Sequence, residues 1–246
     1  MSWKSRAHQR SGRAEESSWQ TPCVSVPSNA QDEAAATDSP ERLRALSEHR
    51  DKKVRVAVAF NPAAPKDLLE TLVADKHHLV RYAVAERADG LAWSVALAAD
   101  DLGVRGILAQ RQDLDEATLE ALLTDPARGV RESVGASTKR PDVLARLARD
   151  ADHHVRATTA TNLSIADDDL ELLAADCVGQ VRAVAAQNPR LSPETVTRLA
   201  ADRSGNVRYF VLEAHPERLD LAEALKDDRE SDIARLARSR LTPGAR

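Results

Sequence analysis

The chain has 246 residues, of which 42% are apolar and only 3% aromatic. Its 35 basic and 39 acidic residues are interspersed and leave a formal charge of −4, so no overall field would attract a polyanion. No segment approaches the roughly 20 apolar residues of a membrane span, and two cysteines in unlike contexts cannot form a disulfide framework. We therefore expect a soluble, cytoplasmic protein that does not insert into membranes.

Residues 1–38 are rich in Ser, Arg, Glu, Gln and Ala and show no sustained hydrophobic period, which predicts a flexible N-terminal tail. Its basic residues are not followed by an apolar run, so a secretory signal is not expected. Trp3 and Trp19 are unusual in such a tail. They are either chance occurrences or part of a short motif that folds onto a partner or back onto the rest of the chain.

Residues 39–242 are built from one repeated unit, and residues 243–246 form a short C-terminal tail. A Val-Arg pair recurs in each unit, with Ile233-Ala234 as a diverged last copy. The valines are residues 54, 80, 104, 130, 155, 181 and 207. The spacing of 24 to 26 residues is typical of a solenoid, in which each unit buries its apolar face against its neighbours.

Each unit begins with a predicted short helix. Ser39-Pro40-Glu41 and Ser192-Pro193-Glu194 combine a capping serine, a proline at the first helical position and an acid at the positive end of the helix dipole. Two apolar residues three positions apart follow and share one helix face. These pairs are Leu43 and Leu46, Leu69 and Leu72, Leu119 and Leu122, Leu144 and Leu147, Leu170 and Leu173, and Val196 and Leu199. The third unit is weaker, with Ser94 and Leu97.

A second helix is predicted from the Val-Arg pair, because apolar residues follow the valine at the third and fourth positions, as in Val54, Ala57 and Val58. Asn61-Pro62 and Asn188-Pro189 end the unit. We expect the asparagine to adopt the left-handed conformation that terminates a helix, and the proline to prevent continuation. Each repeat is therefore predicted to contain two helices joined by a short polar loop.

The pattern Val-Arg-x-x-Val-Ala-x-Asn-Pro-x-x-Pro, then Leu-x-x-Leu-x-x-Asp, resembles the leucine-rich repeat variant family, a relative of HEAT and armadillo repeats. It is best preserved over Val54 to Asp75 and Val181 to Asp202. The resemblance implies an all-α fold, an α-solenoid of about eight repeats of 24–26 residues wound into a right-handed superhelix, with α and 3₁₀ helices alternating. Some members carry an iron–sulfur cluster near the N-terminus. Cys23 is alone in that region, and about four thiolates are needed, so no cofactor is expected.

The Val-Arg arginines have two interpretations. Stacked at about 10 Å per layer, they would form a basic row able to follow a phosphate backbone. In five units, however, the arginine lies six residues after an aspartate, which resembles the Asp and Arg ladder of HEAT repeats and favours a structural role. The predicted ladder pairs within a unit are Asp75 and Arg81, Asp125 and Arg131, Asp150 and Arg156, Asp176 and Arg182, and Asp202 and Arg208.

The residue after each Val-Arg pair varies between repeats, as expected of a surface shaped for one partner but also of drift at an exposed site. Aromatic residues and arginine are enriched at interface anchors. The candidate partner-binding residues are Tyr82, Trp93, Glu132, Tyr209 and Arg235.

Two histidine pairs, His77-His78 and His153-His154, lie three repeats apart, too far to share one ion, and we interpret them as exposed loop residues rather than as metal ligands. Asp167-Asp168-Asp169 is interpreted as the charged first turn of a helix. No nucleophile elbow or phosphate-binding glycine loop occurs. The sequence favours a non-catalytic scaffold that binds a protein or peptide along its concave face. Nucleic-acid binding is the alternative, and a DNA-repair enzyme on a HEAT-like scaffold is less favoured.

Overall fold

A computed structural model of the chain describes residues 29–87, 97 and 101–242. These residues form sixteen α-helices and no β-strand, which confirms the predicted all-α class and the repeated helix pairs. Within the described part of the chain both helices of a repeat are α-helices, so the alternation with 3₁₀ helices implied by the resemblance is not observed. None of these helices is long and apolar enough to cross a bilayer.

The helices fall into two rows. The first helices of the repeats are α2 (Pro40–Ser47), α4 (Lys66–Leu72), α7 (Glu116–Leu123), α9 (Pro141–Leu147), α11 (Asp167–Leu173), α13 (Pro193–Ala200) and α15 (Leu219–Leu225). The second helices are α1 (Ala30–Ala36), α3 (Lys52–Phe60), α5 (His78–Glu86), α6 (Leu102–Leu108), α8 (Arg128–Ser137), α10 (His153–Ala160), α12 (Gly179–Ala185), α14 (Gly205–Ala214) and α16 (Ser231–Leu241).

The predicted start signals are confirmed at both Ser-Pro-Glu sites. The Ser39 side chain accepts a hydrogen bond from the Arg42 backbone N–H, and Pro40 occupies the first turn of α2. Ser192 caps α13 in the same way. Such a cap contributes about 1 kcal/mol, because it satisfies an N–H group that has no partner within the helix.

The core lies between the two rows. Both members of every apolar pair predicted on the described first helices are buried, from Leu43 and Leu46 in α2 to Val196 and Leu199 in α13. The valines of the Val-Arg pairs are also buried. Burying one such side chain contributes about 1.5–3 kcal/mol. Each second helix packs directly on the second helix of the next repeat, from α1 through to α16.

The predicted N-terminal boundary is wrong at its last ten residues, because α1 lies inside the range 1–38 that was expected to be a tail. Asn29 caps this helix, and Ala34 is fully buried where α1 packs on α3. The helix lacks the Val-Arg pair and any large apolar residue. It occupies the position of a second helix and covers the layer of α3 at the N-terminal end of the described residues.

Candidate partner-binding surface

The seven Val-Arg arginines each bond to an aspartate of the following repeat. The Nε atom lies 2.6 to 2.8 Å from the Oδ2 atom of that aspartate in all seven cases. We call these contacts the arginine–aspartate ladder. Its pairs are Arg55 and Asp75, Arg81 and Asp101, Arg105 and Asp125, Arg131 and Asp150, Arg156 and Asp176, Arg182 and Asp202, and Arg208 and Asp228.

Six of these arginines also turn back to their own repeat, where Nη1 meets a backbone carbonyl rather than a carboxylate. Arg182 Nη1 donates to the Asp176 carbonyl oxygen at 2.7 Å while its Nε donates to Asp202. Arg55 uses the His49 carbonyl in the same way, also at 2.7 Å. One guanidinium therefore joins two consecutive loops, so the within-unit pairs of the sequence meet through the aspartate backbone.

The aspartates of the ladder also shape the loops that hold them. Asp202 Oδ1 accepts a hydrogen bond from the Ser204 backbone N–H at 2.8 Å, and Asp176 accepts one from Val178 at the same distance. Burial by itself raises the pKa of Asp202, but the hydrogen bonds from Arg182 and from the Ser204 N–H outweigh it and leave the pKa below its ordinary value. The Asp202 carboxylate therefore stays charged and hydrogen-bonded to its own loop.

One partner in the ladder differs from the acid series read from the sequence. Arg81 bonds to Asp101, which is not among the aspartates of the ladder pairs predicted from the sequence. The sequence signal for the ladder is a separation of 20 residues from arginine to aspartate, with 19 between Arg131 and Asp150. The sequence interpretation missed this signal because it compared residues within one unit.

A second set of contacts lies at the opposite end of the second helices and was also missed. A donor side chain just after six of these helices, and one within α16, reaches back to a carbonyl oxygen at or just beyond the end of a preceding second helix. We call it the carbonyl-capping series: Asn61, Arg87, Arg111, Asn162, Asn188, His215 and Arg240, the last of which lies within α16. It satisfies carbonyl groups that a helix end leaves without partners.

Asn61 does not have the left-handed conformation expected of it from the sequence. Its backbone is extended, with φ −68° and ψ 123°, and not left-handed. Its buried amide donates to the carbonyl oxygens of Ala34 and Thr37, both at 2.8 Å, and its Oδ1 accepts from the Ala63 N–H. Asn61 therefore acts as a hydrogen-bond donor and acceptor that joins two layers, and not as a residue that tolerates positive φ.

The predicted partner-binding residues differ in exposure. Tyr82 and Tyr209 are half-buried and pack against the core, Tyr209 with its ring edge-to-face with Phe210. Glu132 is half-buried with Arg128 3.8 Å away, and Arg235 is exposed and bonds to Asp232. They lie on four separate second helices and do not converge on one site. Trp93 and Cys23 lie outside the described residues.

An exposed apolar area surrounds Tyr82, and the sequence interpretation did not single it out. Leu79 and Leu102 are 42% and 57% exposed. The Tyr82 ring lies over Gly103, where any β-carbon would overlap the phenol. At Gly106 a β-carbon would meet no atom within 4 Å. We call Leu79, Tyr82, Leu102, Gly103 and Gly106 the glycine notch.

Three of the four histidines are helical rather than loop residues, and His77 is the last residue of its loop. His77 caps α5 and His78 begins it, whereas His153 and His154 begin α10 and Asp152 caps it. The two pairs are therefore offset by one position in the repeat. The ligand atoms of Asp152, His153 and His154 lie within 4.8 Å of one another, but Asp152 already accepts from the His154 N–H and lies 4.0 Å from Arg128.

The three aspartates from 167 to 169 form the first turn of α11, as predicted. Two of them are paired with arginines of adjacent repeats, Asp167 with Arg190 and Asp169 with Arg149. Asp169 is buried, and only Asp168 faces solvent without such a pair among the described residues.

Taken together, these helix pairs, the ladder and the carbonyl-capping series define an α-solenoid of short repeats. A comparison with solved structures finds a similar chain, described as "a leucine-rich repeat variant with a novel repetitive protein structural motif". The two chains are 26% identical, with a TM-score of 0.59, over 82% of this chain and 81% of the other. The fold is thus that of a leucine-rich repeat variant. No family model and no curated protein matches the sequence.

Proposed function

We propose that this solenoid is a non-catalytic scaffold that binds a protein or peptide along the face of its second helices. The proposal rests on one observation, that neighbouring residues of each Val-Arg segment have different roles. The arginine is engaged inside the stack, whereas the next residue varies, from Tyr82 to Glu132 to Arg235, on the helix row itself. A uniform frame that carries variable side chains is suited to recognition of one extended partner.

The packing of the two rows supports the concave face as the location. Second helices contact one another along the whole row, whereas contacts between consecutive first helices are sparser. In a curved stack the more closely spaced row lies on the inside of the curve, so the second helices would line the concave side. Tyr82 and Tyr209 lie on this row, five layers apart, which suits an extended peptide better than a compact ligand.

Nucleic-acid binding by the arginine row receives little support from the geometry. The side chains of Arg55, Arg182 and Arg208 are only 5% to 7% exposed and are bonded to aspartates. A phosphate would have to replace a buried carboxylate and leave it without a partner, which costs about 3–5 kcal/mol. Catalysis, including base excision, likewise has no group of residues to carry it among those described. The two unlike cysteines remain the reason to propose a reducing, cytoplasmic environment.

The test is affinity capture of the tagged full-length protein from its own host, with and without nuclease and at two salt concentrations. We expect a stoichiometric protein that survives both treatments. Recovery of nucleic acid alone, lost with nuclease or high salt, would contradict the proposal.

Charge reversals locate the surface in the same experiment. Glu132→Lys and Arg235→Glu lie on the second helices and should weaken capture, whereas Asp168→Lys on the first helices is the matched control. The tyrosines are less suitable, because their rings pack on the core and truncation would also change stability. Equal capture by all three variants would place the partner elsewhere.

A further inference from the structure

The glycine notch differs from the equivalent positions of the other second helices. Leu79 occupies the position before the Val-Arg valine, where the later repeats have Gln180 and Asn206, both exposed polar residues. Leu102 precedes Gly103 in the next layer, and Gly106 and Gly129 leave open space beside them. Two exposed leucines beside a half-buried tyrosine form an apolar area that polar side chains cover elsewhere along the row.

The notch is open on the side of α6 and α8. At both Gly106 and Gly129, in consecutive layers, an added β-carbon would have no neighbour within 4 Å. The Tyr82 ring forms one wall because Gly103 leaves room for its hydroxyl end against α6, and His78 lies edge-to-face with it at 5.8 Å between ring centroids. An aromatic side chain could stack against that ring and contact both leucines, an arrangement worth about 0.5–1.5 kcal/mol beyond the area that it buries.

The chain itself supplies such a side chain within reach. Residues 1–28 precede Asn29, the cap of α1, and contain two of the three tryptophans, Trp3 and Trp19. Ten residues separate Trp19 from Asn29 and span up to about 33 Å when extended. The notch begins on α5, two layers from α1, or about 20 Å at roughly 10 Å per layer.

Charge and tethering favour the same occupant. Residues 1–28 contain four basic and two acidic residues, and the exposed acid Glu86 lies at the end of α5. A short tether gives an effective concentration of about 1 mM or more, so even a weak contact would be occupied.

We propose that the glycine notch binds the chain's own N-terminal segment, with Trp19 seated between Tyr82, Leu79 and Leu102. The docked segment covers the apolar area in the free protein, and a partner that binds the second helices displaces it. The docking itself does not depend on the scaffold function, because it requires only residues of this chain.

The experiment uses the full chain with Trp3→Phe and Trp93→Phe, which leaves Trp19 as the single tryptophan. We expect a blue-shifted emission and several-fold less quenching by acrylamide than in the urea-unfolded chain. Leu79→Ser with Leu102→Ser should abolish both effects. Leu163→Ser with Leu219→Ser is the matched control, since these leucines are 61% and 53% exposed outside the notch, and it should change neither.

A second measurement does not depend on replacing tryptophans. A spin label on Cys23 in the Cys177→Ser chain should broaden the amide signals of Leu79, Tyr82 and Gly106 at every protein concentration. Trp19 emission like that of a free peptide, or broadening that disappears on dilution, would overturn the proposal. The latter result would mean that a second copy supplies the segment.

Discussion

At the scale of single residues, His77 has a specific electrostatic role. Its Nδ1 accepts a hydrogen bond from the Leu79 N–H and so caps α5, and its Nε2 lies 2.9 Å from Lys52 Nζ. Burial, followed by the charges of Lys52, His78 and Arg55, lowers the pKa of His77, although Asp75 opposes this shift. Only the neutral ring can accept at Nδ1, so the cap requires an unprotonated histidine.

The first prediction concerns pH. Because the folded-state pKa of His77 is lowered, the unfolded chain takes up this proton first, and stability is lost as the pH falls below about 6.5. His77→Asp provides the capping carboxylate that Asp51, Asp101 and Asp152 provide elsewhere, and it remains charged down to about pH 4. The substituted chain should lose less stability than the native chain between pH 7 and pH 5 in thermal melts. Parallel losses would contradict the capping role.

The second prediction compares two glycines of α6. Gly106→Ala should raise the free energy of unfolding by about 0.5–1 kcal/mol, because the site is open and alanine favours a helix. Gly103→Ala has the same helix propensity but displaces the Tyr82 ring, so the gain should be cancelled or reversed. Urea unfolding of both variants measures the difference, and equal stabilisation would mean that Tyr82 does not rest on α6.

At the scale of helices, the second helices from α3 to α14 are held at both ends. The ladder bonds the loop before each of them, and the carbonyl-capping series bonds residues at its end. This explains how helices of only seven to eleven residues persist, since isolated helices of that length are marginal in water.

The third prediction tests the capping series at Asn162. Its buried amide donates to the carbonyl oxygens of Gly135 at 2.8 Å and Thr138 at 2.9 Å. Asn162→Ala should lower the free energy of unfolding by about 1–3 kcal/mol, because buried carbonyls lose their donor. Asn206→Ala, at an exposed position of α14, is the control and should change it by less than about 0.5 kcal/mol. Similar effects at the two sites would argue against the series.

The sequence predicted the helix pairs because their signals are local. Ser39 and Ser192 mark helix starts within four residues, and the leucine pairs mark one face of a single turn. The partner of Asn61 lies in another layer, 24 to 27 residues earlier, and it is a backbone carbonyl without residue identity. Such a contact leaves no pattern of paired residues in the sequence. Only the recurrence of a donor side chain after the second helices could have indicated it.

At the scale of the whole molecule, the ladder has defined ends. His49 stands where later repeats have the aspartate. Its carbonyl oxygen accepts from Arg55 and its Nδ1 accepts from the Asp51 N–H at 3.1 Å, but a histidine side chain offers no carboxylate to an arginine. Ala234 stands where earlier repeats have the arginine, so Asp228 is the last aspartate of the ladder. The sequence contained both substitutions, but it did not predict α1, whose single buried alanine gives no helical period.

The fourth prediction follows from this arrangement. The Asp176 and Asp228 side chains are equally buried, at 8% and 6% exposure, and each receives one arginine. Asp176 lies in a layer with several neighbours on both sides, whereas Asp228 lies in the last repeat. Asp176→Ala should therefore lower the melting temperature more than Asp228→Ala, since the end of a repeat array can fray without unfolding the rest. Equal shifts would indicate that the layers do not depend on their neighbours.

The most direct measurement of the central claim, that the arginines hold the layers together, is a double-mutant cycle on Arg182 and Asp202. Arg182→Gln and Asp202→Asn should each lower the free energy of unfolding by about 3–5 kcal/mol, because each leaves a buried charge without its partner. The double variant should lose less than the sum of the two, by about 1–3 kcal/mol. Losses that add within about 0.5 kcal/mol would show that the pair is not coupled and that the arginine row is available for another use.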